Sequence, residues 1–111
     1  MCIRDRCYRD EQEVIKNIKP NEKWTDVVFQ LIIDTINKCD IVVANLDGID
    51  IDSGTGWEIG YAFAKGKRII GIRTDSRLYE KDQIVNLMIQ QSSIKIVKSL
   101  EELESELSKL K

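Results

Sequence analysis

The chain predicts an α/β domain in three layers: a doubly wound parallel sheet of flavodoxin-like or Rossmann-like kind, with its first strand missing. Short apolar runs at Ile41–Ala44, Arg68–Ile72 and Ile94–Val97 have the unbroken character of strands covered on both faces. Stretches of helical periodicity precede, separate and follow them. The resulting order, α, β, α, β, α, β, α, calls for parallel pairing through crossover helices.

Taken in order, residues 1–23 are highly charged and contain no strand-like run. They read as an arm outside the domain, which occupies residues 24–111. The opening Met-Cys-Ile-Arg-Asp-Arg reads as a non-native leader. A doubly wound domain starts with a buried strand, so the expectation is a chain truncated at its N-terminus. Glu11–Ile18 fits a short helix ahead of Pro20. From Trp24 to Lys38 the positions Trp24, Val27, Val28, Leu31, Ile32 and Ile36 form a wide apolar stripe, with Asn21 as the expected N-cap. After the strand at Ile41, Asn45-Leu46-Asp47-Gly48 is turn chemistry. Ser53-Gly54-Thr55-Gly56 opens the next helix, with Ser53 or Thr55 as its N-cap. Gly66 closes that helix between Lys65 and Lys67, cations suited to the negative end of its dipole. Thr74–Asp82 is a charged loop and Asp82–Gln90 a short helix. Ser99 starts the last helix as part of a capping-box-like sequence, with Leu100, Leu103, Leu107 and Leu110 on one face.

A length of 111 residues sets one small domain, and 42% apolar residues suffice for one core. The net charge of -2 offers nothing to nucleic acid or an anionic membrane surface. No run is long enough for a transmembrane helix, and no signal peptide is recognisable. Cys2, Cys7 and Cys39 are odd in number and lack metal-site spacing, and the chain has no histidine. A reduced, cytoplasmic protein without structural zinc follows. Without histidine the usual general base is gone, so acid–base work falls to carboxylates, Tyr, Lys or Cys.

Four acidic residues, Asp47, Asp50, Asp52 and Glu58, fall between the first strand and the first turn of the following helix. Ligands of open α/β sheets bind at this carboxyl edge. A helix N-terminus favours an ionised Glu58, which then suits attack on an anomeric carbon. Asp52, on the loop, can serve the leaving group from another side. The alternative is that Glu58 only suits its helix end and the aspartates only solvate a loop. Asp47, Asp50 and Asp52 lack the twelve-residue calcium pattern, and no metal is expected. The Ser53–Gly56 turn lacks both the P-loop Lys-Ser/Thr and the dinucleotide spacing. Its glycines suit close approach to a sugar instead. Trp57 and Tyr61 read as core or subunit contacts ahead of base stacking.

The stretch Asp47-Gly48, Asp52, Gly54-Thr55, Glu58-Ile59-Gly60-Tyr61-Ala62 and Gly66-Lys67 resembles the nucleoside 2-deoxyribosyltransferase family, which includes 2′-deoxynucleoside 5′-phosphate N-hydrolases. The resemblance spans about residues 24–98. It implies Glu58 as the nucleophile at C1′ and Asp52 as acid/base toward the nucleobase. It implies substrate contacts from Asp47, Gly48, Gly54 and Thr55. Asn86 and Met88 would lie in a segment lent by a neighbouring subunit, hence a homo-oligomer with shared active sites. The substrates implied are a deoxynucleoside or deoxynucleotide and a free nucleobase, with no cofactor. The reaction is deoxyribosyl transfer through a glutamyl intermediate; hydrolysis of a deoxynucleoside 5′-monophosphate, or an inactive nucleotide-binding fragment, are the alternatives. Two family features have no counterpart here. One is the tyrosine of an opening strand; the other is an aspartate near Ile32, which Asp34 matches only with a shift of register. Weak or no activity of this chain is the expectation.

Overall fold

The computed structural model describes residues 2–3, 16–78 and 80–110. Its elements are β1 (Cys2–Ile3), α1 (Trp24–Lys38), β2 (Ile41–Asn45), α2 (Ser53–Ala64), β3 (Arg68–Ile72), α3 (Leu87–Ser92), β4 (Lys95–Val97) and α4 (Leu100–Lys109). The sheet order is β1-β2-β3-β4. β2, β3 and β4 are parallel, with Val43 opposite Ile70 and Gly71 opposite Ile96. This is the α/β fold read from the sequence. β1 is an addition: two residues paired antiparallel to Ile41 and Val42. Among the described residues no parallel strand precedes β2. The helix expected at Glu11–Ile18 lies largely outside the described residues.

Each strand sends alternate side chains to opposite faces. Val42, Ala44 and Ile69 join Ile36, Ile59, Ala62 and Val85 in one core, beneath α1, α2 and the segment leading to α3. Ile41, Val43, Ile70 and Val97 face the other way and meet Leu103 of α4. Three layers result. Gly71 makes the first core possible, because a Cβ there would collide with the Leu46 side chain.

Several boundaries and faces differ from the sequence reading. Lys23 occupies the N-cap of α1 and gives no side-chain cap bond, so Asn21 is not the cap. Trp24 is 58% exposed despite its place in the apolar stripe, and Leu100 likewise turns outward on α4. Helix α3 begins at Leu87 instead of Asp82, because Asn86 intervenes as its N-cap. Ser99 does cap α4, accepting from Glu102 N–H, while the Glu102 carboxylate accepts from Lys98 N–H. Cys39 is fully buried and disulfide-bonded, so it is not the reduced thiol expected. Among the described residues no helix is long and apolar enough to cross a membrane.

Candidate functional site

The carboxyl ends of β2 and β3 carry two loops held together by reciprocal bonds. Asp47 Oδ1 accepts from the N–H groups of Thr74 and Asp75 at 2.7 and 2.9 Å, and Oδ2 accepts from Thr74 Oγ1 at 2.6 Å. The Thr74 hydroxyl, then these amides, hold the Asp47 carboxyl below its ordinary value of 3.8. In the opposite direction, Arg73 Nη1 donates to Leu46 O at 2.7 Å and to Gly48 O at 3.2 Å. Its Nη2 donates to Arg77 O at 3.0 Å, while the buried Nε makes no hydrogen bond. Arg77 in turn chelates Asp75, whose carboxyl is held well below the usual range by that hydrogen-bonded cation.

Sequence reasoning missed Arg73. It is 5% exposed, a buried cation directly after an apolar strand. That position was the available clue: a charge ending a covered strand must find partners at the sheet edge, and here they are loop carbonyls. Gly48 completes the turn with φ +118°, a conformation that side-chain-bearing residues rarely adopt.

The acidic loop then enters α2 through Asp52. Asp52, not Ser53 or Thr55, is the N-cap; its Oδ2 accepts from Thr55 N–H at 3.1 Å. Gly54 leaves room for this bond, since a Cβ there would come within 3.0 Å of Oδ2. Gly54 and Thr55 therefore seat the Asp52 carboxylate, whatever else they contact. No acidic residue occupies the first turn of α2. Glu58 lies in the second turn, half-buried, where support from the helix dipole is smaller than a first-turn position would give. Helical geometry sets Glu58 about 9 Å further along the axis from Asp52 and about 240° around it. The two acids belong to one helix end, six residues apart.

Asn86 Oδ1 accepts from Met88 N–H at 2.9 Å, and Asn86 lines a concavity with Ile49, Asp50, Ile51, Arg73 and Val85. Met88 is 70% exposed. A second cavity, of about 170 Å³, is lined by Arg73, Thr74, Asp75, Ser76, Leu78, Ile84 and Lys98; Asp52 and Glu58 are not among its walls. The structure thus groups Asp50 with Asn86, and Asp47 with Thr74 and Asp75. Asp52 sits with Gly54 and Thr55, and Glu58 stands one turn further on. Asp34 faces solvent and accepts from Gln30 Nε2 at 2.9 Å. Among the described residues no cluster of acidic or sulfur side chains is arranged to hold a metal ion.

A family model described as Nucleoside 2-deoxyribosyltransferase matches residues 5–95. The chain belongs to this family. Structures similar to it include a 2-desoxiribosyltransferase from Leishmania mexicana, at 26% identity and a TM-score of 0.62, covering 82% of this chain and 70% of that one. A CMP N-glycosidase from Clostridium botulinum is similar at 28% identity and a TM-score of 0.55, covering 76% of this chain and 74% of that one. A conserved protein from Enterococcus faecalis is similar at 26% identity and a TM-score of 0.67, covering 88% and 76%. An uncharacterized protein of Schizosaccharomyces pombe is 32% identical over 74 residues, 63% of this chain and 35% of the yeast protein. The chain thus spans about a third of that relative's length. Family members include glycosyltransferases and N-glycosidases.

Proposed function

We propose that the chain carries the nucleophile half of a nucleoside 2-deoxyribosyltransferase site. The observation that carries this reading is Glu58, half-buried on the second turn of a helix whose cap is a second acid, at the carboxyl edge of the sheet. Glu58 attacks C1′ of a 2′-deoxynucleoside, forming a carboxylate–sugar ester as the N-glycosidic bond breaks. Asp52, in its protonated form, delivers a proton to the departing base. A second base then attacks C1′, returns a proton to Asp52 and releases Glu58. Two inversions give net retention. The transition state is oxocarbenium-like, and the lack of a 2′-hydroxyl favours it. Asp47, Gly48, Gly54 and Thr55 border the sugar in this reading. Asn86 and exposed Met88 reach the 5′ end of a neighbouring subunit's substrate. The site residues need no cofactor for these steps, and a cytoplasmic location suits nucleobase salvage.

Hydrolysis is the second reading, favoured by the similarity to a CMP N-glycosidase. Water then replaces the second base, and the substrate carries a 5′-phosphate. Incubation with deoxyinosine and adenine, and separately with a deoxynucleoside 5′-monophosphate alone, distinguishes the two. Deoxyadenosine signals transfer; free base from the nucleotide alone signals hydrolysis. The Glu58→Ala variant is expected to lose at least about 10³-fold of either activity. Turnover undiminished in that variant contradicts the proposal. Binding of a deoxynucleoside without turnover by the unsubstituted chain supports the inactive-fragment alternative.

A further inference from the structure

Arg73 keeps one edge of its guanidinium unused. Nη1 is taken up by Leu46 O and Gly48 O, and Nη2 donates to Arg77 O. Nε, on the same edge as Nη2, is buried and has no hydrogen-bond partner. A buried donor left unpaired is costly, and native structures carry few of them. Nε–H and Nη2–H together form the fork that grips both oxygens of a carboxylate. Arg77 O belongs to the loop after β3. Through Thr74, Asp75, Ser76 and Leu78 that loop walls the cavity of about 170 Å³ that Arg73 also lines. The unused edge therefore turns to the cavity side of Arg73, away from the acidic loop that holds Nη1. Lys98 brings a second cation to the walls, and it enters no ion pair among the described residues. Asp75 is the one carboxylate on the walls, and Arg77 already chelates it.

We propose that this cavity binds a small organic monocarboxylate, with Arg73 and Lys98 at its charged end and Leu78 and Ile84 against its apolar body. Two wall cations against one wall carboxylate leave a single excess positive charge. A monoanion neutralises that excess, whereas a dianion exceeds it. The volume suits the same class. An engineered apolar cavity of about 150 Å³ takes benzene, so about 170 Å³ has room for an acid the size of benzoate. Pockets for drug-sized ligands run to about 300 Å³ and more. The carboxylate oxygens meet Nε–H and Nη2–H, which gives the orphaned donor its acceptor. Lys98 approaches from the exposed rim. Asp52 and Glu58 are not among the walls, so this site stands without the catalytic reading. Occupancy has a consequence for stability. Arg73 also holds Leu46 O and Gly48 O, and Thr74 and Asp75 hold Asp47. A ligand that fixes Arg73 and the loop after β3 therefore stabilises both loops in the folded state.

The probe is benzoate, added to the full chain at constant ionic strength, beside neutral benzamide and inorganic phosphate. Calorimetry reads affinity. The nitrogen–proton resonance of Arg73 Nε, assigned through its own side-chain bonds, reads the contact. Benzoate is expected to bind saturably at one site per chain and to raise the thermal midpoint. Benzamide and phosphate are each expected to bind at least about tenfold more weakly, the first lacking the charge and the second the apolar body. The Arg73 Nε–H resonance should move downfield as it gains an acceptor. Lys98→Glu changes an exposed side chain, so the melting curve should be kept while benzoate weakens at least about tenfold. Glu58→Ala should bind benzoate as the unsubstituted chain does. No saturable binding, benzamide or phosphate as tight as benzoate, or an unmoved Arg73 resonance overturns the proposal. Undiminished binding in Lys98→Glu overturns it too. So does loss of benzoate binding in Glu58→Ala, which puts the probe in the sugar site.

Discussion

Asp52 has an observed duty as N-cap and a proposed one as acid, and one substitution separates them. As N-cap it accepts a backbone N–H; as acid it must carry a proton. Asn caps a helix as well as Asp does but cannot deliver that proton. Asp52→Asn is therefore expected to keep the thermal midpoint while lowering turnover about 10²-fold or more, a difference read by melting curves beside initial rates. Equal turnover in the variant reduces Asp52 to a cap. Asp47 yields a pH prediction. Its folded-state pKa is depressed by Thr74 and Asp75, so its contribution to stability is present above the ordinary value of 3.8 and lost as pH falls through the lower folded value. Asp47→Asn should flatten the acid limb of a plot of thermal midpoint against pH, with the two curves converging at the lowest pH. The sequence showed that both residues were acidic and near the strand end. It did not show the hydrogen bonds of Asp47, because Thr74 and Asp75 are 27 and 28 positions away and only strand pairing brings them close.

At the scale of elements, helix and strand identities were legible because periodicity is local, and β2, β3 and α1 fall where their apolar patterns put them. Ends were less legible. Asn86 stops α3 from extending back to Asp82 by capping it, and a single asparagine between Val85 and Leu87 does not announce that choice. Gly66 was legible, since it ends α2 with φ +74° and passes bonds from Gly66 N–H to Phe63 O and from Lys67 N–H to Ala62 O. Gly71 was not: its need arises from Leu46, which arrives from the neighbouring strand. Gly71→Ala is expected to destabilise the domain by about 1–3 kcal/mol in denaturant titration, because Leu46 must leave its place. Arg73 links the same two strands. Arg73→Met removes the donor to three carbonyls and should cost about 2–4 kcal/mol in the same titration.

At the scale of the molecule, the sheet was legible from its strands, and the family from the acidic loop and the first two turns of α2. The outer face of α2 was not. Trp57 and Tyr61 could be weighed as core or contact residues, but whether anything covers Trp57 and Phe63 depends on the packing of α1 and α3 around them. The account's central claim is narrower: one carboxylate becomes bonded to deoxyribose. Peptide mapping by mass spectrometry, after rapid acid quench of the chain with a deoxynucleoside, tests it most directly. The predicted result is a deoxyribosyl adduct on the peptide bearing Glu58, and on no other carboxylate. Turnover with Glu58 unmodified, or an adduct on a different residue, would contradict it.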